Sequence, residues 1–76
     1  MRRLTMLIND IETLGKELKN QRKKLGYTQA YISEFTGFSV SFISDVEKGK
    51  ATAEIGKVLH YAHMLGMDVK IEARGH

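Results

Sequence analysis

The sequence predicts an all-α fold of four to five short helices, with a short β-strand at the C-terminus. Three observations carry this. Apolar residues recur at helical spacing in separate blocks between Asn9 and Leu65. Each block opens on Asn, Asp, Thr or Ser and closes on a glycine, at Gly26, Gly37, Gly49 and Gly66, and no proline interrupts any of them. After Gly66 the hydrophobic period shortens to two.

The first helix starts near Asn9 or Asp10, where Asn9 and Glu12 have capping-box spacing. Ile11, Leu14, Leu18 and Leu25 form its apolar stripe, and Gly26 stops it. Thr28 caps a second helix, "QAYISEFT", which ends at Gly37. Ser39 caps a third, "VSFISDVEK", which ends at Gly49. Thr52 caps a fourth that runs to Leu65, with Ile55, Val58, Leu59, Ala62 and Leu65 on one stripe. Met67, Val69, Ile71 and Ala73 then alternate with Asp68, Lys70, Glu72 and Arg74, the pattern of a half-buried strand. The N-terminal "RLTMLI" is compatible with a second extended segment.

A chain of 76 residues makes one small domain with a modest core. Such domains commonly add a disulfide, a metal or a second subunit. With no cysteine, the first route is closed, and association with a copy of itself is the common route left. No apolar run approaches the roughly 20 residues of a membrane span, so a soluble, cytoplasmic protein is expected. The net charge of +3 suits a polyanionic partner without demanding one. Its distribution is more telling: Lys19, Arg22, Lys23 and Lys24 crowd the end of the first helix, and Lys48 and Lys50 flank Gly49. Cations at a helix C-terminus also occur for purely local reasons.

No catalytic constellation is visible. His60 and His63 share a helix face, but no carboxylate or thiol stands at the spacing that would complete a metal site, so they read as helix surface. The glycines are dispersed as helix stops, not gathered into a phosphate loop. Neither an enzyme nor a cofactor is expected.

The second and third helices, with the tight turn at Gly37, make a helix-turn-helix. The second helix of such a pair lies in the DNA major groove, which is about 12 Å wide and admits one helix. That accounts for a short third helix. Ile43 and Val46 face the core, leaving Val40, Ser41 and Ser44 outward. Small hydroxyls and a valine methyl let a backbone approach base edges, where serine donates or accepts and an apolar group touches a thymine methyl. Gln29, opening the second helix, is placed for a phosphate. On turn geometry alone, an ordinary helical hairpin in a small bundle fits as well.

"LKNQRKKLGYTQAYIS" followed by "GFSVSFISDVEKGKAT" resembles the phage-repressor type of DNA-binding domain, the XRE family. Arg22, Gly26, Thr28, Gln29, Ile32, Ser33, Gly37, Ile43, Glu47 and Gly49 carry the resemblance, which covers about residues 10–66. The short length, "EKGKATAEIGKVLHYAHMLGM" and the trailing strand resemble the HipB-type antitoxin regulators within it. The resemblance implies a homodimeric repressor that binds its own palindromic operator and a HipA-type kinase toxin. It implies DNA contacts from Thr28, Gln29, Ser39, Val40, Ser41, Phe42, Ser44, Lys48 and Lys50, and an ion pair between Arg22 and Glu47. Val40 departs from relatives that carry Gln or Arg there, which shifts weight toward shape readout or methyl contacts. Phe42 either wedges against DNA or covers the turn. Phe35 and Tyr31, where the family is often polar, suit a protein interface.

The chain thus divides into an N-terminal tail over residues 1–9, the helix-turn-helix domain over 10–66, and a dimerisation strand over 67–74. Met67, Val69, Ile71 and Ala73 are expected to pair across a two-fold axis. Pairing with "RLTMLI" of the same chain is the rival arrangement. Against the repressor stands a protein-interaction module whose helix-turn-helix no longer reads DNA. Val40 and Phe42 are weak base readers, and Asp45 would repel phosphate.

Overall fold

The computed structural model describes residues 7–75, and among these it contains four helices and no strand. They are α1 (Ile11–Lys24), α2 (Gln29–Thr36), α3 (Val40–Glu47) and α4 (Ile55–Met64). Most of "RLTMLI" lies outside the described residues; Leu7 and Ile8 are exposed and irregular. No helix among the described residues is long and apolar enough to cross a membrane.

Local chemistry sets the helix ends. Asp10, not Asn9, caps α1: its carboxylate accepts from the Thr13 N–H at 2.6 Å, and that charge-assisted bond, aided by Lys16, holds the Asp10 carboxyl below its ordinary range. Thr28 caps α2 and Ser39 caps α3, each hydroxyl oxygen accepting at 3.0 Å from a backbone N–H three residues on. The fourth helix differs from expectation. Its N-cap is Glu54, which makes no side-chain cap bond, while Thr52 lies in a turn closed by Ala53 N–H to the Lys50 carbonyl at 3.1 Å. A hydroxyl marks a helix start only when the backbone beyond it is free to wind, and this turn holds Thr52 outside α4.

The core comprises Leu18, Ile32, Ile43, Val46, Val58, Tyr61, Ala62 and Leu65. α3 packs on both α1 and α2. Its approach to α1 is made possible by Gly15, where a Cβ would overlap the carbonyl oxygens of Val46 and Glu47. The apolar stripe of α4 is rotated from the expected one. Ile55 and Leu59 are exposed, and Tyr61 takes the central buried place. Leu25, the last residue of the α1 stripe, is likewise exposed, because the chain turns away there at Gly26.

Residues 67–75 form neither helix nor strand, so the C-terminal strand is not present. A ladder requires a neighbouring backbone, and no other described segment of the chain supplies one. Met67 is anchored, its N–H donating to the Ala62 carbonyl at 3.0 Å and its side chain packing on the core. Beyond it the alternating apolar residues lie open, Ile71 at 96% exposure.

Candidate nucleic-acid interface

The turn between α2 and α3 is made by Gly37-Phe38-Ser39. Gly37 ends α2 in the left-handed conformation, φ 84°, which a residue with a Cβ rarely adopts. Thr36 Oγ1 donates to the Ile32 carbonyl at 2.7 Å and accepts from the Phe38 N–H at 3.1 Å, pinning both sides of the turn. Thr28 and Ser39 spend an oxygen lone pair on their caps and keep a hydroxyl proton. A proton is what a phosphate oxygen needs.

Beneath α3 lies a closed polar network. Arg22 Nε and Nη2 donate to the two oxygens of Glu47 at 2.7 and 3.0 Å, a bidentate pair whose side chains are both nearly solvent-free. Arg22 Nη1 donates to the Tyr27 carbonyl at 2.7 Å, joining α1 to the entry of α2. Glu47 also accepts from Gln29 Nε2 at 3.0 Å and from the Tyr61 hydroxyl at 2.7 Å. One carboxylate therefore ties together all four helices. Burial alone would push the Glu47 carboxyl up, but the donors from Arg22, Tyr61 and Gln29 outweigh it and hold it below its ordinary range. Its hydrogen bond raises Arg22 against the opposing effect of burial. Burial, then the Glu47 carboxylate, raises the Tyr61 phenol, so it stays a neutral donor.

This network changes what Gln29 can do. One amide proton is committed to Glu47, which fixes the side chain, and the second has no acceptor among the described residues. Gln29 is thus an oriented donor whose position depends on the core.

The opposite face of α3 is open. Val40, Ser41 and Lys48 are exposed and Ser44 half-buried, whereas Ile43, Val46 and Glu47 are buried. Phe42 is not a free wedge. Its ring packs against Phe38 at 5.0 Å between centroids, and Lys57 Nζ stands 5.9 Å from its centroid. Phe38 in turn meets the edge of His60 at 5.7 Å, which makes His60 part of an aromatic cover over the turn. Lys50 lies beside α3, its ammonium 3.3 Å from Asp45.

A family model described as helix-turn-helix matches residues 18–70, most of the chain. The chain belongs to the helix-turn-helix family. A relative from Sinorhizobium fredii (strain NBRC 101917 / NGR234), named as the uncharacterized HTH-type transcriptional regulator y4mF, is 37% identical over 62 residues, covering 82% of each chain.

Within this helix-turn-helix domain, three residues escape a reading of the sequence. Tyr61 lies outside the stripe of Ile55, Val58, Leu59, Ala62 and Leu65 that the spacing gives, yet it is fully buried and its hydroxyl donates to Glu47. Lys57 reaches the flank of α3 from another helix, and no local pattern reports that. Asp45 reads locally as a misplaced negative charge until its contact with Lys50 is seen.

Proposed function

We propose that this chain is a sequence-specific transcriptional repressor of the cytoplasm that binds palindromic operator DNA as a homodimer, with α3 in the major groove. The observation that carries the reading is the division of α3. Its inner face is clamped by buried hydrogen bonds, and its outer face offers short polar side chains on a rigid support. Thr28, Gln29, Ser39, Lys48 and Lys50 supply backbone contacts, and Val40, Ser41 and Ser44 meet base edges. Phe42 contributes by bracing the turn. The resemblance to HipB-type regulators supports an antitoxin role, with a HipA-type kinase toxin as protein partner.

Dimerisation is assigned to residues 67–74, as an antiparallel ribbon formed on association. The exposed Val69 and Ile71 support it, as does the charge order of the segment. A two-fold axis through Ile71 sets Asp68 opposite Arg74 and Lys70 opposite Glu72, both favourable pairs. Deleting residues 67–76 should leave a monomer that binds operator DNA weakly, because two half-sites are no longer held one helical turn apart. A truncated chain that still sediments as a dimer would exclude the ribbon.

A gel shift with the DNA upstream of the gene, at two salt concentrations, tests the main reading. A repressor prefers that DNA over an unrelated duplex and loses affinity steeply with salt. The second reading, a protein-interaction module, is favoured by one observation. Tyr27, Tyr31 and Phe35 form an exposed ladder of stacked rings along α2, with centroids 4.9 and 6.2 Å apart. No preference between the two duplexes at either salt concentration would favour the module. Co-purification with the product of the neighbouring gene, abolished by Phe35→Ala, would place the partner on that ladder.

A further inference from the structure

We propose that Asp45 is a specificity-determining residue of α3, its carboxylate accepting from the exocyclic amine of a cytosine in the major groove. The inference rests on the DNA-binding reading above and deepens it. Ser41, Asp45 and Lys48 stand at helical spacings of four and three, on the side of α3 away from Ile43, Val46 and Glu47. Asp45 is therefore central to the outward row. Its side chain is 40% exposed even with Lys50 against it.

An aspartate on a DNA-facing surface is unfavourable unless its charge is balanced. Here it is balanced from within the chain. Lys50 Nζ stands 3.3 Å from Asp45 Oδ2, and the Lys50 N–H donates to the Asp45 carbonyl at 3.0 Å. The second contact is backbone to backbone, so the loop that carries Lys50 is held against the end of α3. The ammonium offsets the repulsion between the carboxylate and the phosphates. Oδ1 takes no hydrogen bond among the described residues and keeps its lone pairs for an incoming donor.

The choice of base follows from what each base displays. Cytosine offers N4–H₂ in the major groove with no acceptor of its own beside it. Adenine sets its N7 acceptor next to N6–H₂, which faces a carboxylate with a lone pair. Guanine and thymine offer acceptors only. A carboxylate therefore selects cytosine, whereas an amide in the same place selects adenine by pairing with N6 and N7 together. Aspartate is short, and Ser41 and Ser44 beside it are small enough to let the helix approach.

The test is selection from a pool of duplexes with a randomised core, using the full chain as wild type, Asp45→Ala and Asp45→Asn, each checked for folding by its thermal melt. Wild type should select sites with cytosine fixed at one position of each half-site. Asp45→Ala should accept all four bases there, and Asp45→Asn should move that position to adenine, with other positions unchanged. In the selected site, N4-methylcytosine at that position should weaken wild type by roughly tenfold and leave Asp45→Ala unaffected. If Asp45→Ala keeps every wild-type preference, or the methyl group has no effect on wild type, Asp45 does not read the base. Enrichment of no sequence by wild type would overturn the DNA-reading function as well, a result distinct from a consensus that ignores Asp45.

Discussion

On its inner side α3 presents Ile43, Val46 and Glu47, all buried; on its outer side Ser41 and the C-cap Lys48 are exposed, and Asp45, half-buried, is paired with Lys50. The same eight-residue helix obeys two sets of rules. Inside, no buried side-chain nitrogen or oxygen among the described residues lacks a hydrogen bond. Outside, Ser41 and Asp45 are short, and apart from the Asp45–Lys50 pair their side chains make no hydrogen bond among the described residues. The difference teaches that rigidity and readout are supplied by different residues one helical step apart. A change inside should cost stability and carry binding down with it. A change outside should alter recognition and leave the fold intact.

The largest effect is expected from Arg22→Ala, which strands the buried Glu47 carboxylate. Breaking one side of such a pair costs about 3–5 kcal/mol, read as a drop in melting temperature, whereas replacing both residues with fitted apolar side chains should cost much less. A wild-type melt for Arg22→Ala would break the inner side of the comparison. The pH dependence sharpens it. Because the folded Glu47 carboxyl lies below its ordinary value of 4.5, its stabilisation is present above pH 4.5 and is lost as pH falls through the lower folded value. Glu47→Gln should be less stable at neutral pH and should lose little more on acidification.

Tyr61→Phe comes next. It removes one donor to a buried charge and keeps the ring, at a cost of about 1.5–3 kcal/mol. Gly15→Ala should cost about 1–3 kcal/mol by pushing α1 off the end of α3. It should also disturb the Arg22–Glu47 geometry, visible as weaker binding to every DNA sequence alike. The smallest stability effect belongs to Ser41→Ala, within about 0.5 kcal/mol of wild type, yet it should change which operator bases are preferred. A Ser41→Ala variant with wild-type base preference would remove Ser41 from the reading face. One that melts markedly lower would show that the outer side is structural after all.

Much of the local structure was legible in the sequence. Thr28, Ser39 and Gly37 mark the limits of α2 and the start of α3, because a cap or a left-handed stop is decided by a few neighbouring residues. Thr52 misled, since the turn of Lys50–Ala53 is closed by its own backbone before α4 begins. The alternation of residues 67–74 was equally plain, but alternation is a disposition, and a strand exists only where another backbone meets it. Of the candidate site, the outward places of Val40 and Ser41 follow from helical spacing, whereas the bracing of Phe42 by Phe38 and Lys57 does not.

The sequence by itself determined the succession of short helices, the helix-turn-helix among them and the outward places of Val40 and Ser41. These rest on periodicity and capping, which act over one or two turns. Only the tertiary structure decided that Tyr61 would take the central place in α4, that Gln29 would be oriented by Glu47, and that Lys50 would neutralise Asp45. The contacts of Glu47 join residues 14, 18 and 25 positions apart. Burial makes a single carboxylate recruit every donor within reach, and which donors are within reach is set by how the helices pack.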